Sequence, residues 1–192
     1  KDGLFIPYEG VVGGTFASFN AFISTSRYMY INEYHISPIY YSYLFTLIAF
    51  GYLIGNKIMT FCSRRNVDSY VLIRVGVIIG AIVIGLTLLS IYLRHDVIAF
   101  ILLVTFAGWL TRLATAFINP PIQVIVLTSF GTRGSFAVGL LSSLQYVFAA
   151  FGSWFVGVLK FEPSINIIIS TILFTLLTIT CFATISTKDV NG

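Results

Sequence analysis

Two long uninterrupted apolar runs, Val75 to Leu89 and Ile165 to Phe182, constrain this chain more than any other feature. Neither alternates polar with apolar residues, so neither reads as a strand of a transmembrane barrel. Segments this apolar need lipid for a solvent, and a bilayer core takes about 20 such residues in helical form. Inside lipid every backbone N–H and C=O must be satisfied internally, which leaves helices as the spanning structure. The rest of the chain agrees: 57% of its 192 residues are hydrophobic and 9% charged. Ordinary soluble domains carry roughly 25% charged residues. The expected fold class is therefore an all-α integral membrane protein.

Six transmembrane helices are predicted, at about 4–31, 38–62, 69–93, 97–128, 134–159 and 164–186, forming one half-domain over residues 1–192. Ser37 before Pro38, Asp68 and Asp96 stand where N-caps would start the second, third and fourth helices. Asn119-Pro120-Pro121 lies near the far end of the fourth, and a proline pair there should kink or break it and offer a gating point. The even count puts both ends on one side. Lys57, Arg64, Arg65, Arg74, Arg133 and Lys188 share that side, against Arg27, Arg94 and Lys160 on the other, so both ends are expected in the cytoplasm of a cell's inner membrane. Tyr28, Tyr30, Tyr34, Tyr40, Tyr41 and Tyr43 gather about the first external loop and read as an interfacial aromatic belt.

Small residues recur at four-residue spacing in Gly10/Gly14, Gly51/Gly55, Gly76/Gly80, Gly139/Ser143 and Ser153/Gly157, and predict close helix–helix approach. Enzyme motifs are absent: no phosphate-binding loop, no His-Glu-x-x-His, no nucleophile elbow. The chain is not read as an enzyme, and no cofactor or metal is expected. Cys62 and Cys181 match no metal spacing and read as reduced structural residues. The net charge of +4 is dispersed over loops, so nucleic acid is not expected as a partner.

The informative residues are the ionisable ones inside spans. Arg112 lies about 15 residues, roughly 22 Å, into the fourth helix. Burying it in hydrocarbon costs about 2.5–3.5 kcal/mol even on the lenient scale, so it should face a polar cavity or an acid. Glu9 is the one carboxylate predicted within a span, at similar depth, and is expected to pair with Arg112 or share its cavity. Both belong to polar stripes: Glu9, Phe16, Asn20 and Arg27 on the first helix, Thr105, Arg112, Thr115 and Asn119 on the fourth. Ser142, Gln145 and Tyr146 are the polar positions of the fifth. Such stripes either glue helices together or line a solute path.

Three stretches resemble a known family. Gly51-Tyr52-Leu53-Ile54-Gly55-Asn56-Lys57 with Arg64-Arg65 resembles the second-half copy of the cytoplasmic loop motif of the major facilitator superfamily. Phe22-Ile23-Ser24-Thr25-Ser26 through Ile36-Ser37-Pro38 is similar to the helix 7–8 region of its bicyclomycin-resistance-type drug:proton antiporters. Asn119-Pro120, then Thr132-Arg133-Gly134-Ser135-Phe136-Ala137 and Leu144-Gln145, resembles their helix 10–11 region. Two positions depart from the pattern: Arg27 stands where relatives show proline, and Asn56-Lys57 where the first-half motif shows an acid and an arginine.

The resemblance implies the C-terminal half of such a transporter, helices 7–12, with its first and fourth helices lining a central cavity. It implies proton-coupled multidrug efflux by alternating access, hence antibiotic resistance. The implied partners are the lipid bilayer, an amphipathic small-molecule substrate, protons and an N-terminal six-helix half, which carries most of the proton-coupling carboxylates. The expected cavity residues are Glu9, Phe16, Asn20, Trp109, Arg112 and Gln145. The loop motif would comprise Gly51, Gly55, Lys57, Arg64 and Arg65, and the gating element Asn119, Pro120 and Pro121. The alternative is a six-helix membrane interaction subunit or an inactive truncated transporter remnant.

Overall fold

A computed structural model describes the backbone of residues 5–190 and side chains through Ile185. Leu4, the sequence-based start of the first span, and the side chains of Ser186 and Lys188 lie outside the described residues. The chain forms six long helices: α1 (Phe5–Arg27), α2 (Pro38–Arg64), α3 (Ser69–Tyr92), α4 (Val97–Ser129), α5 (Gly134–Val158) and α6 (Pro163–Val190). Asp96 caps α4 by accepting from the backbone N–H groups of Ile98 and Ala99, both at 3.2 Å. Ser37 and Asp68 accept from Tyr40 N–H at 3.5 Å and Tyr70 N–H at 3.4 Å. Each cap satisfies a donor that the first helical turn leaves open.

Five of the helices, α2 to α6, are long and apolar enough to cross a membrane. The sequence reading treats α1 as a sixth span; over its described residues α1 is more polar than these five. Its position explains its composition. α1 buries Thr15, Ser18, Thr25 and Ser26 along with Gly13, Gly14, Ala17 and Ala21, because α4, α5 and α6 surround it. A helix shielded from lipid by neighbours can carry hydroxyls that a lipid-facing helix cannot.

α1 and α4 form the centre. α1 packs most extensively on α5 and α6, and α4 on α2 and α3. Exchanging α1 with α4, α2 with α5 and α3 with α6 carries each of these pairs onto another, and maps the α1–α4 and α3–α6 contacts onto themselves. Each unit of three helices is odd, so consecutive units run in opposite directions. The arrangement has the connectivity of an inverted repeat.

Close approaches follow the same exchange. A Cβ on Gly152 of α5 would collide with the Ala17 carbonyl of α1, and one on Gly51 of α2 would stand 2.5 Å from the Trp109 carbonyl of α4. A Cβ on Gly14 would stand 2.9 Å from the Phe174 carbonyl of α6, and one on Gly76 of α3 would stand 3.0 Å from the Ala114 carbonyl of α4. Backbone fills these positions, so only a residue without a side chain fits. Two of the predicted small-residue pairs do not work this way. Gly139 and Gly157 have open space around them, and of the Ser153/Gly157 pair Ser153 alone makes a contact, accepting from Ser24 Oγ at 2.9 Å.

Two further expectations are corrected. α4 runs unbroken from Val97 to Ser129 through both prolines. Packing on α1, α2, α3 and α5 holds the helix where the prolines remove two backbone donors. The first helix ends at Arg27 and winds into a wider π-helical segment over Tyr28–Glu33. That segment splits the tyrosine cluster. Tyr28, Tyr40 and Tyr43 face outward, as a belt would. Tyr30 is fully buried and its hydroxyl shares a 2.8 Å hydrogen bond with Thr105 of α4. Tyr41 bonds Ser26 at 3.0 Å, and Tyr34 packs on Phe100 with ring centroids 5.3 Å apart.

One end of the bundle is tied by polar contacts. Glu33 accepts from Ser164 backbone N–H at 2.9 Å and from its hydroxyl at 2.6 Å, so a residue after α1 caps the start of α6. Arg94, between α3 and α4, lies 3.8 Å from Glu33 and pairs with Glu162. Burial and the adjacent Glu33 carboxylate push the Tyr34 hydroxyl above its ordinary pKa. The Glu33→Ala variant leaves that N-cap empty and should lower unfolding stability by about 1 kcal/mol. Denaturant titration in mixed micelles checks this, and an unchanged midpoint would mean that the cap carries no load.

Candidate functional site

Thr105, Arg112, Thr115 and Asn119 form a polar stripe along one face of α4, and Thr115 donates to the Thr111 carbonyl at 2.8 Å. The two ends of the stripe are closed. Thr105 donates to Ile101 C=O at 2.7 Å, which leaves its oxygen to accept from Tyr30. Asn119 accepts from Gln145 Nε2 of α5 at 2.9 Å, with Gln123 at 3.5 Å. Both Asn119 and Gln145 are buried. Arg112 lies between them, midway along α4. Its guanidinium carbon sits 3.9 Å from the ring centroid of Phe19 on α1 and 4.7 Å from that of Tyr52 on α2. The positive charge is thus held by two ring faces. Its buried Nε has no acceptor.

Glu9 is also buried, and neither carboxylate oxygen has a hydrogen-bond partner. Among the described residues no ion pair joins it to Arg112. The register explains why the expected pair does not form. Phe22 of α1 meets Gly108 of α4, and Thr15 shares a small void with Ala114 and Ile118. Helices running in opposite directions at that register put Glu9 level with Pro121, about nine residues or 13 Å of helix from Arg112. Sequence depth alone misplaces Glu9, because α4 is 33 residues long and runs well past Arg112 on the side where Glu9 lies.

The other candidates fall into distinct places. Phe16 and Asn20 are half-buried on one face of α1, and Asn20 Nδ2 donates to Phe16 C=O at 2.9 Å. Trp109 is half-buried against α2 and stacks on Phe106, with centroids 5.9 Å apart. Gly51, Gly55 and Lys57 lie within α2. Gly51 and Gly55 are buried against α4, where they act as packing residues, while Lys57 is exposed. Arg64 ends α2, and Arg65 follows it with its guanidinium over the Phe61 ring. Pro121 is buried and Pro120 half-buried. The structure therefore unites Arg112 with the α1 face next to Phe16 and Asn20 and, separately, Asn119 with Gln145. It leaves Glu9 apart. The chain matches no family model, no curated protein and no solved structure.

Phe19 and Tyr52, the two rings that flank Arg112, escaped the sequence reading. The signal was present only as an aromatic on each of two earlier helices, α1 and α2. Which aromatic faces the cation depends on helix register, and sequence leaves that open.

The hydroxyls between α1, α3, α4 and α6 have a different character. Thr15, Thr87, Thr111 and Thr178 each donate to a carbonyl three or four residues earlier on their own helix. Ser18, Thr87, Thr111 and Thr171 line one small void there. The donors of Thr15, Thr87, Thr111 and Thr178 are spent locally, as packing hydroxyls in helices are. The buried Asn119–Gln145 bond is expected to couple the two residues by about 0.6 kcal/mol, up to about 1.7. A double-mutant cycle with Asn119→Ala and Gln145→Ala on the unfolding free energy measures it, and additivity of the two would contradict the bond.

Proposed function

We propose that this chain is the C-terminal half of a proton-coupled efflux transporter of the major facilitator type, exporting amphipathic small molecules by alternating access. One observation carries the reading: Arg112, midway along a central helix, holds its charge between two aromatic rings, with no ion pair to an acid among the described residues. An ionisable side chain left so at the middle of a helical bundle marks a solute path. The exchange relation between the two three-helix units supports it, because repeat-built transporters place their sites at the repeat interface near the midplane. Solute and proton would each shift the balance between inward- and outward-open states. Phe16, Asn20 and Arg112 would contact the solute from this half, and Trp109 would pack behind Arg112. Most proton-coupling carboxylates would reside in the N-terminal half.

The locally satisfied Ser and Thr hydroxyls favour one competing reading, a static interaction subunit or inactive remnant, since a bundle glued in this way needs no path. Inside-out vesicles bearing the full protein separate the two. A panel of cationic, neutral and anionic amphipathic dyes should show pH-gradient-driven uptake that a protonophore abolishes. Uptake of every dye equal to that of vesicles without the protein would sink the transport reading.

A further inference from the structure

We infer that the solute bound at Arg112 is an organic anion, with a carboxylate or comparable planar oxyanion attached to an aromatic or aliphatic body. This deepens the transport reading of the same site and rests on it. The α4 stripe supplies the argument. Of its four polar residues, Thr105 is satisfied by Tyr30, Thr115 by the Thr111 carbonyl and Asn119 by Gln145. Only Arg112 lacks a polar partner among the described residues. Arg112 donates no hydrogen bond to any described residue, and its Nε is buried without an acceptor.

The two rings dictate what can complete it. Phe19 and Tyr52 cover the guanidinium with their π faces, at 3.9 and 4.7 Å. A guanidinium offers its hydrogens only in its own plane, as a fork that matches the two oxygens of a carboxylate. The rings take up none of these hydrogens in a conventional hydrogen bond, so that edge remains the route for a ligand. They also fix the fork's direction, so little side-chain entropy is lost when an anion docks. A cationic or neutral solute would leave the charge uncompensated, and burying a lone cation is costly. Phe16, one turn from Asn20 on α1, offers an apolar wall for the ligand's body.

The test uses the full protein in detergent and equilibrium dialysis with two probes of one shape: 2-naphthoate and its neutral amide, 2-naphthamide. Naphthoate should bind at least about tenfold more tightly, since a charge-assisted bidentate pair is worth more than about 1.4 kcal/mol. Arg112→Gln should bring the ratio to about one, and Arg112→Lys, which keeps charge without the fork, should leave an intermediate ratio. Equal binding of the two probes by the unmodified protein would overturn the inference, whatever the variants do. So would an unchanged ratio in folded Arg112→Gln. The dye fluxes keep the two readings distinct. Gradient-driven flux without discrimination between naphthoate and naphthamide sinks the anion alone. Discrimination without flux of any dye preserves the anion site and sinks transport.

Discussion

Gly152→Val lowers the thermal unfolding midpoint of the detergent-solubilised protein by about 6–12 °C. The Ala17 carbonyl of α1 occupies the space that a Cβ on Gly152 would need. Backbone cannot rotate away as a side-chain tip can, so the helices must part. Overpacking costs about 1–3 kcal/mol, and the rigid neighbour argues for the upper figure. For a chain of this size each kcal/mol moves the midpoint by about 2–4 °C. Gly51→Val, against the Trp109 carbonyl at 2.5 Å, should behave alike, because the two contacts are equivalent under the exchange of three-helix units. Gly139→Val and Gly157→Val, at positions with open space, should shift the midpoint by no more than about 1 °C. Equal effects at all four sites would mean that the glycines matter for backbone freedom alone.

The second large effect is functional. Arg112→Ala should reduce gradient-driven transport by at least about 25-fold while expression and fold are retained. Losing one side of a buried, hydrogen-bonded charge pair costs about 2–5 kcal/mol, and each 1.4 kcal/mol is tenfold. Stability should move little. The variant gives up two ring contacts worth about 0.5–2 kcal/mol, and it also removes a cation whose burial costs about 2.5–3.5 kcal/mol. Flux and circular dichroism on the same preparation check both halves of this statement. Full transport by the folded variant would remove Arg112 from the path.

Local signals carried the helices into the sequence, and tertiary arrangement decided what the sequence hid. Asp96 before Val97 is an N-cap that spacing alone reveals, and it forms. The continuity of α4 through Pro120 and Pro121 was hidden, because neighbouring helices decide whether a proline pair breaks a helix. Tyr30 read as a belt residue until a π-helical segment turned it into the core onto Thr105. Arg112 was legible as a buried charge needing compensation. That Phe19 and Tyr52 hold it, and that Glu9 does not, follows from interhelical register. Period and composition do not encode that register. Gly139 shows the limit of motif reading: a small residue at the right spacing packs only if a neighbour lies on its face of the helix.

The central claim is that the face of α1 next to Arg112 meets water in the membrane. Thiol accessibility tests it most directly. With Cys62 and Cys181 replaced, single cysteines are placed at Asn20, half-buried beside Arg112's helix, and at Ile82, 51% exposed on the outer face of α3. A charged methanethiosulfonate reagent is then applied to right-side-out and inside-out vesicles. Asn20→Cys should react at least about tenfold faster than Ile82→Cys, and from either side, although Ile82 is the more exposed in the bare bundle, because lipid excludes a charged reagent. Labelling at Asn20 no faster than at Ile82 would mean that no water reaches this face, and the account of α1 and α4 as the walls of a solute path would fail.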